Sequence, residues 1–153
     1  MTHLFLLEPD AVATVRAIDK SQVLGALADR LAAVYGLERS EVLERIEERE
    51  RLGSTGFGRG VASPHARIAG VTEPVAAFLR LEAPVAFESA DGMPVKLVFG
   101  LLSPEQGGAS HLQALAAISR MMRDDRMRAN LEAAPDAEAL YGLLCNVIDR
   151  DAA

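Results

Sequence analysis

Two apolar runs, Val75 to Leu81 and Val95 to Leu102, are bounded by Pro74, Pro84, Pro94 and Pro104. Continuous apolar segments of this length, stopped at both ends by proline, read as strands buried on both faces. Such strands need a layer of other structure above and below them, so the rest of the chain must supply helices. It does. Val23, Leu24, Leu27, Ala28, Leu31, Val34 and Tyr35 recur at helical spacing, and Gly36 follows as a C-terminal stop. Ser40 can cap a second helix running to about Leu52, in which Glu44 to Arg51 reads mostly as a solvated face. After the strands, His111, Leu115, Ile118 and Met122 form one helical stripe, and Ala137 to Ile148 reads as a last amphipathic helix. A faint alternation from Val12 to Ile18 suggests a short first strand, and Asp91-Gly92 is a strong turn dipeptide. The pattern predicts a single layered domain over residues 1–153, α/β or α+β, with a sheet covered by helices.

Composition narrows the function classes. With 16 Lys+Arg against 22 Asp+Glu, the net charge of −6 has the wrong sign for binding a phosphate backbone, so nucleic acid is not an expected partner. Cys145 is the only cysteine, so an intrachain disulfide is impossible and a reducing cytoplasm is the expected setting. No apolar run approaches the ~20 residues of a membrane helix, so direct membrane insertion is not expected. A chain this long can bury roughly 70% of its unfolded surface and needs no metal to hold a core.

Chemistry concentrates at three stations. The first is Gly53-Ser54-Thr55-Gly56-Phe57-Gly58-Arg59-Gly60-Val61-Ala62-Ser63-Pro64-His65, with four glycines between 53 and 60. Glycine-dense loops let backbone N–H groups converge on an anion. Neither nucleotide-loop pattern fits. Gly58 is followed by Arg59-Gly60 rather than Gly-Lys-Ser/Thr, and Pro64 argues against an immediate helix. The reactive group nearest the loop is His65, whose ring nitrogen is nucleophilic near neutral pH and can carry a group covalently. A histidine that only packs at a strand end is the competing reading.

The second station is Arg49, which falls with Val42 and Ile46 on one stripe of the second helix. A guanidinium there is costly to bury unless it meets an anion. A salt bridge or a side chain reaching to solvent at the helix end is the alternative. The third is His111, which Ser110 and Gln113 place in a first helical turn through an S-x-x-Q capping box. The positive end of the helix dipole disfavours imidazolium there, although a satisfied core histidine has the same pattern. No closely spaced ligand pair accompanies the isolated Cys145, so neither a metal nor another cofactor is expected.

Taken together, Arg49-Glu50-Arg51-Leu52 running into Gly53-Ser54-Thr55-Gly56 and on to Pro64-His65 resembles the active-site stretch of the phosphotransferase-system enzyme IIA family, of the fructose/mannitol and nitrogen-regulatory type. His111-Leu112-Gln113-Ala114-Leu115 is similar to that family's second histidine motif. The likeness spans the first helix to the last. It implies an α/β fold with a mixed β-sheet flanked by helices on both faces. It also implies that His65 accepts a phosphoryl group from the phosphocarrier HPr or its nitrogen-branch counterpart NPr, beside Arg49 and His111. Ser54, Thr55, Gly56 and Gly58 would cradle the phosphate, and Arg59 would touch the partner, as would Phe57 unless it is a core aromatic folded under the loop.

Regulation of targets such as transporters or sensor kinases is the favoured use. Transfer to a permease IIB domain in sugar uptake, or a binding module that no longer accepts phosphate, are the alternatives. The family usually has an apolar residue at Ser63 and often glycine at Ala66. Alanine cannot use positive φ freely, which predicts a different course for the chain after His65.

Overall fold

A computed structural model describes residues 3–152, with side chains described through residue 149. In chain order the elements are β1 (Leu6–Val15), α1 (Lys20–Tyr35), α2 (Arg39–Leu52), β2 (Gly56–Gly58), β3 (Val61–Ala62), β4 (His65–Ile68), β5 (Val75–Val85), β6 (Val95–Pro104), α3 (Ser110–Arg123), α4 (Asp125–Ala133) and α5 (Ala137–Ala152). The two proline-bounded runs are β5 and β6, paired antiparallel in the middle of a six-stranded sheet. Val75 to Leu79 and Leu97 to Ser103 are buried without a break, as strands covered on both faces must be.

The sheet is mixed, in the order β1-β5-β6-β3-β2, with β4 also on β6. β1 runs parallel to β5, and β3 and β4 run parallel to β6. Helices α1 and α2 pack on each other and against β1, β4 and β5, while α3 packs on β6 and α5 on β1. The result is an α/β domain whose mixed sheet has helices on both faces. Gly100 lets α1 approach: a Cβ there would meet Leu27 side-chain carbons at 2.6 and 2.7 Å. In the core, Phe99 makes edge contacts with both Phe5 and Phe78, ring centroids 5.6 Å apart in each pair.

Several sequence expectations need correction. The first strand begins at Leu6 and ends at Val15, short of Ile18. Glu8-Pro9-Asp10 lies where its register shifts against β5, and that polar break masks the strand in the sequence. Ser40 is inside α2, whose N-cap is Glu38, and Ser110 is inside α3, whose N-cap is Ala109. The Ser110 hydroxyl instead donates to the Gly107 carbonyl at 2.7 Å, so no capping box forms, although His111 remains in the first turn. The glycine segment is not all loop. β2 and β3 form a hairpin whose two-residue turn, Arg59-Gly60, has φ of 58° and 79°, the positive values that a type I′ turn requires. Ala66 lies in β4 opposite Leu102 and is not among the residues at positive φ, so alanine costs nothing at that position.

Candidate functional site

The C-terminal half of α2, strand β4 and the first turn of α3 converge on a cleft of about 380 Å³. It is lined by Arg45, Glu48, Arg49 and Leu52 from α2, His65, Ala66 and Arg67 from β4, and His111 from α3. Larger hollows lie between α1 and β1 and among α3, α4 and α5, but no histidine lines either of them. Chemistry, not volume, singles out this cleft.

His65 is half-buried, and its ring centroid lies 5.4 Å from that of His111, with the planes tilted by 53°. Its Nδ1 is 2.8 Å from the Ser63 carbonyl oxygen. A carbonyl only accepts, so Nδ1 is the protonated nitrogen and Nε2 keeps a free lone pair. Burial holds the His65 pKa below its usual value, against the Ser63 hydrogen bond, which raises it; Arg49 lowers it further and Glu50 opposes. The ring is therefore neutral and nucleophilic near pH 7. His111 is 7% exposed, and its pKa is lowered to about 4, first by burial and then by His65 and Arg67.

Arg49 donates to the carbonyl of Gly53 at 2.9 Å, at the C-terminal end of its own helix. Among the described residues it has no carboxylate partner within salt-bridge reach, so its charge is left to the cleft. Among the described residues Arg45 is paired only with Glu48, at 3.4 Å. With Arg67, three guanidinium groups face one carboxylate across the cleft, a balance suited to an anion carrying two charges.

The other residues singled out by sequence are placed differently. The Ser54 hydroxyl donates to the Phe87 carbonyl at 2.6 Å, and that of Thr55 donates to the carboxylate of Glu50. The Thr55 N–H also meets Glu50, the Gly56 N–H meets Ser54 Oγ at 3.1 Å, and the Arg59 N–H meets Asp91 at 2.9 Å. These donors hold the hairpin in place, and none of these residues lines the cleft. Gly56 has a packing reason to be glycine: a Cβ would run into Ser89, whose Cα would be 3.1 Å away. Gly58, at φ 108°, lies against Asp91. Phe57 is 37% exposed on the hairpin rather than folded under it, and Arg59 reaches Asp125 at 3.2 Å.

Five residues with a part in this neighbourhood carried no assigned role in the sequence reading. Glu50 is buried rather than solvated, and it pairs with Lys20 at 2.9 Å while holding Thr55. Arg67 donates to the carbonyls of Pro104 and Gly108, tying down the loop that presents His111. Ser103 meets His111 Nδ1 at 2.6 Å. Leu52, 84% exposed, stands at the mouth of the cleft, and Leu112, 67% exposed, follows His111. Glu50, Arg67 and Ser103 depend on contacts between segments distant in sequence, whereas Leu52, an apolar residue closing a charged helix, was a visible signal.

Comparison with known proteins adds independent findings. The model of the family described as phosphoenolpyruvate-dependent sugar phosphotransferase system, EIIA 2, matches residues 5–147. The nitrogen regulatory protein of Bradyrhizobium diazoefficiens is 42% identical over 140 residues, covering 91% of this chain and 92% of that protein. The nitrogen regulatory protein of Pseudomonas aeruginosa is 42% identical over 129 residues, covering 84% of each. The crystal structure of nitrogen regulatory protein IIA-Ntr from Neisseria meningitidis superposes with a TM-score of 0.84 at 34% identity, covering 90% of this chain and 95% of that one.

Proposed function

The chain belongs to the EIIA 2 family of phosphoenolpyruvate-dependent sugar phosphotransferase systems, with its nitrogen-regulatory branch, and from that premise we propose that His65 accepts the phosphoryl group on Nε2. The observation that carries this reading is the pair of contacts around one ring. The Ser63 carbonyl holds the proton on Nδ1, and the rest of the cleft offers Arg49 and His111 to whatever meets Nε2.

The donor is a phosphohistidine on a small carrier protein of the HPr or NPr kind. The Nε2 lone pair of His65 forms a bond to phosphorus as the bond from phosphorus to the donor's ring nitrogen breaks, and that nitrogen leaves with the electron pair as a neutral imidazole. No proton needs to move on His65, because Nδ1–H remains on the Ser63 carbonyl. The transition state is loose, with charge on the equatorial oxygens, so positioning and charge stabilisation are what the protein must supply. Arg49 supplies charge. A single well-placed donor of this sort contributes ~3 kcal/mol, about two powers of ten in rate.

Leu52 and Leu112 give the site an apolar, exposed margin fitted to a transient partner, which calls for a contact of roughly 1,200 Å² or less. Phosphorylation would then add a phosphoryl group with about two negative charges to a ring that, still protonated on Nδ1, carries one positive charge, a net change of about −1 at an arginine-rich mouth. That change in surface charge is the physical basis for regulating targets such as transporters or sensor kinases. Incubation with phosphoenolpyruvate, enzyme I and either carrier should place acid-labile, alkali-stable label on the wild-type chain and none on His65→Ala. Label retained by the variant would overturn the assignment, and rapid onward transfer to a IIB domain would replace regulation by sugar uptake.

A further inference from the structure

Ser103 lies on β6, opposite Arg67 of β4, and is completely buried. Its Oγ is 2.6 Å from Nδ1 of His111, and among the described residues this ring nitrogen is the only hydrogen-bond partner the hydroxyl has. A bond between a hydroxyl and a ring nitrogen can run either way, so the tautomer must be decided by what each direction leaves unpaired. If Nδ1–H donated to Oγ, the hydroxyl proton of a wholly buried serine would have no acceptor. If the hydroxyl donates to Nδ1, only oxygen lone pairs go unused, and every buried proton is paired. An orphaned buried donor is the costlier outcome.

We propose that Ser103 is a positioning residue whose hydroxyl donates to Nδ1 of His111, so that neutral His111 carries its proton on Nε2 and offers that N–H to the phosphoryl group. The proposal rests on the reading of His65 as the acceptor. The two rings then hold opposite tautomers for the same task. His65 has its proton fixed on Nδ1 by a carbonyl that can only accept, leaving Nε2 as the nucleophile. His111 has Nδ1 occupied by a donor, leaving Nε2 as the hydrogen-bond donor. With the opposite tautomer, a lone pair of His111 would confront the phosphoryl oxygens. The low pKa of His111 keeps the ring neutral, and a neutral ring is the only form in which a tautomer choice exists.

The direct test is a long-range proton–nitrogen NMR correlation on unphosphorylated protein with ¹⁵N-labelled histidine, recorded above pH 7. The expected result is His111 with Nδ1 in the unprotonated, acceptor range and Nε2 in the protonated range, and His65 with the two reversed. His111 Nδ1 in the protonated range would overturn the proposal. This readout needs no phosphorylation, so it stands or fails separately from the function of His65. In Ser103→Ala the His111 signals should shift toward a mixture of tautomers. Phosphoryl transfer should slow about tenfold, the loss of roughly one hydrogen bond, with no further loss when the change is made in a His111→Ala background. A wild-type transfer rate with an unchanged tautomer in Ser103→Ala would equally refute it.

Discussion

His65 and His111 are both neutral, but the second is held so more firmly, and its burial has a consequence for stability. An unfolded His111 binds a proton near pH 6.5, whereas the folded ring resists it until about pH 4. Between those values the unfolded state carries the extra proton, so stability falls as pH drops through the window and is unaffected by this ring above it. The loss is at most about 3 kcal/mol. Denaturant unfolding at several pH values should therefore show a shallower decline between pH 6.5 and 4 for His111→Gln than for the wild type; equal slopes would contradict the burial of a neutral ring. At this scale Arg49, His65 and His111, which the fold gathers at one cleft, were legible as candidates because residue type and local pattern mark them out. Glu50 and Ser103 were not. A glutamate in a charged helix and a serine at the end of an apolar run look ordinary until Lys20 and Thr55, or His111, come to meet them.

Elements place these groups, and the junction of β6 with α3 shows how. Arg67 on β4 donates to Pro104 at the end of β6 and to Gly108 just before α3, at 3.3 and 3.2 Å. One side chain thus secures the approach to the helix that carries His111, and the same side chain lines the cleft. Arg67→Met removes both bonds while keeping much of the apolar stem. Hydrogen exchange at the amides of Gly107 and Ser110, which close turns in this loop, should accelerate by about tenfold, with α1 unchanged. Transfer to His65 should slow while the fold persists. Unaltered exchange in the loop would show that Arg67 does not hold it. Long, strongly periodic elements such as α1, with Gly36 at φ 66° as its stop, could be read from sequence. The short ones could not. β2, β3 and β4 have two to four residues each, too few for periodicity, and α4 buries only Met127 and Leu131 in a polar stretch.

At the scale of the whole molecule, a chain of net charge −6 gathers Arg45, Arg49 and Arg67 around a single small cleft. Neither the overall charge nor the sheet order says where that cleft lies. The layering was legible because the two central strands are apolar throughout and must be covered. That the sheet is mixed was expected from the family resemblance alone, and its strand order was not foreseen at all, since pairing among segments far apart in sequence leaves no local pattern. Among the described residues no helix is long and apolar enough to cross a membrane.

The proposed transfer depends on one nitrogen atom of one ring. Its most direct test is ³¹P and ¹⁵N NMR of the chain after phosphorylation through enzyme I and carrier, with ¹⁵N-labelled histidine. The predicted spectrum shows phosphorus coupled to Nε2 of His65, with Nδ1 of the same ring still protonated. Coupling to Nδ1 of His65, or to either nitrogen of His111, would contradict it.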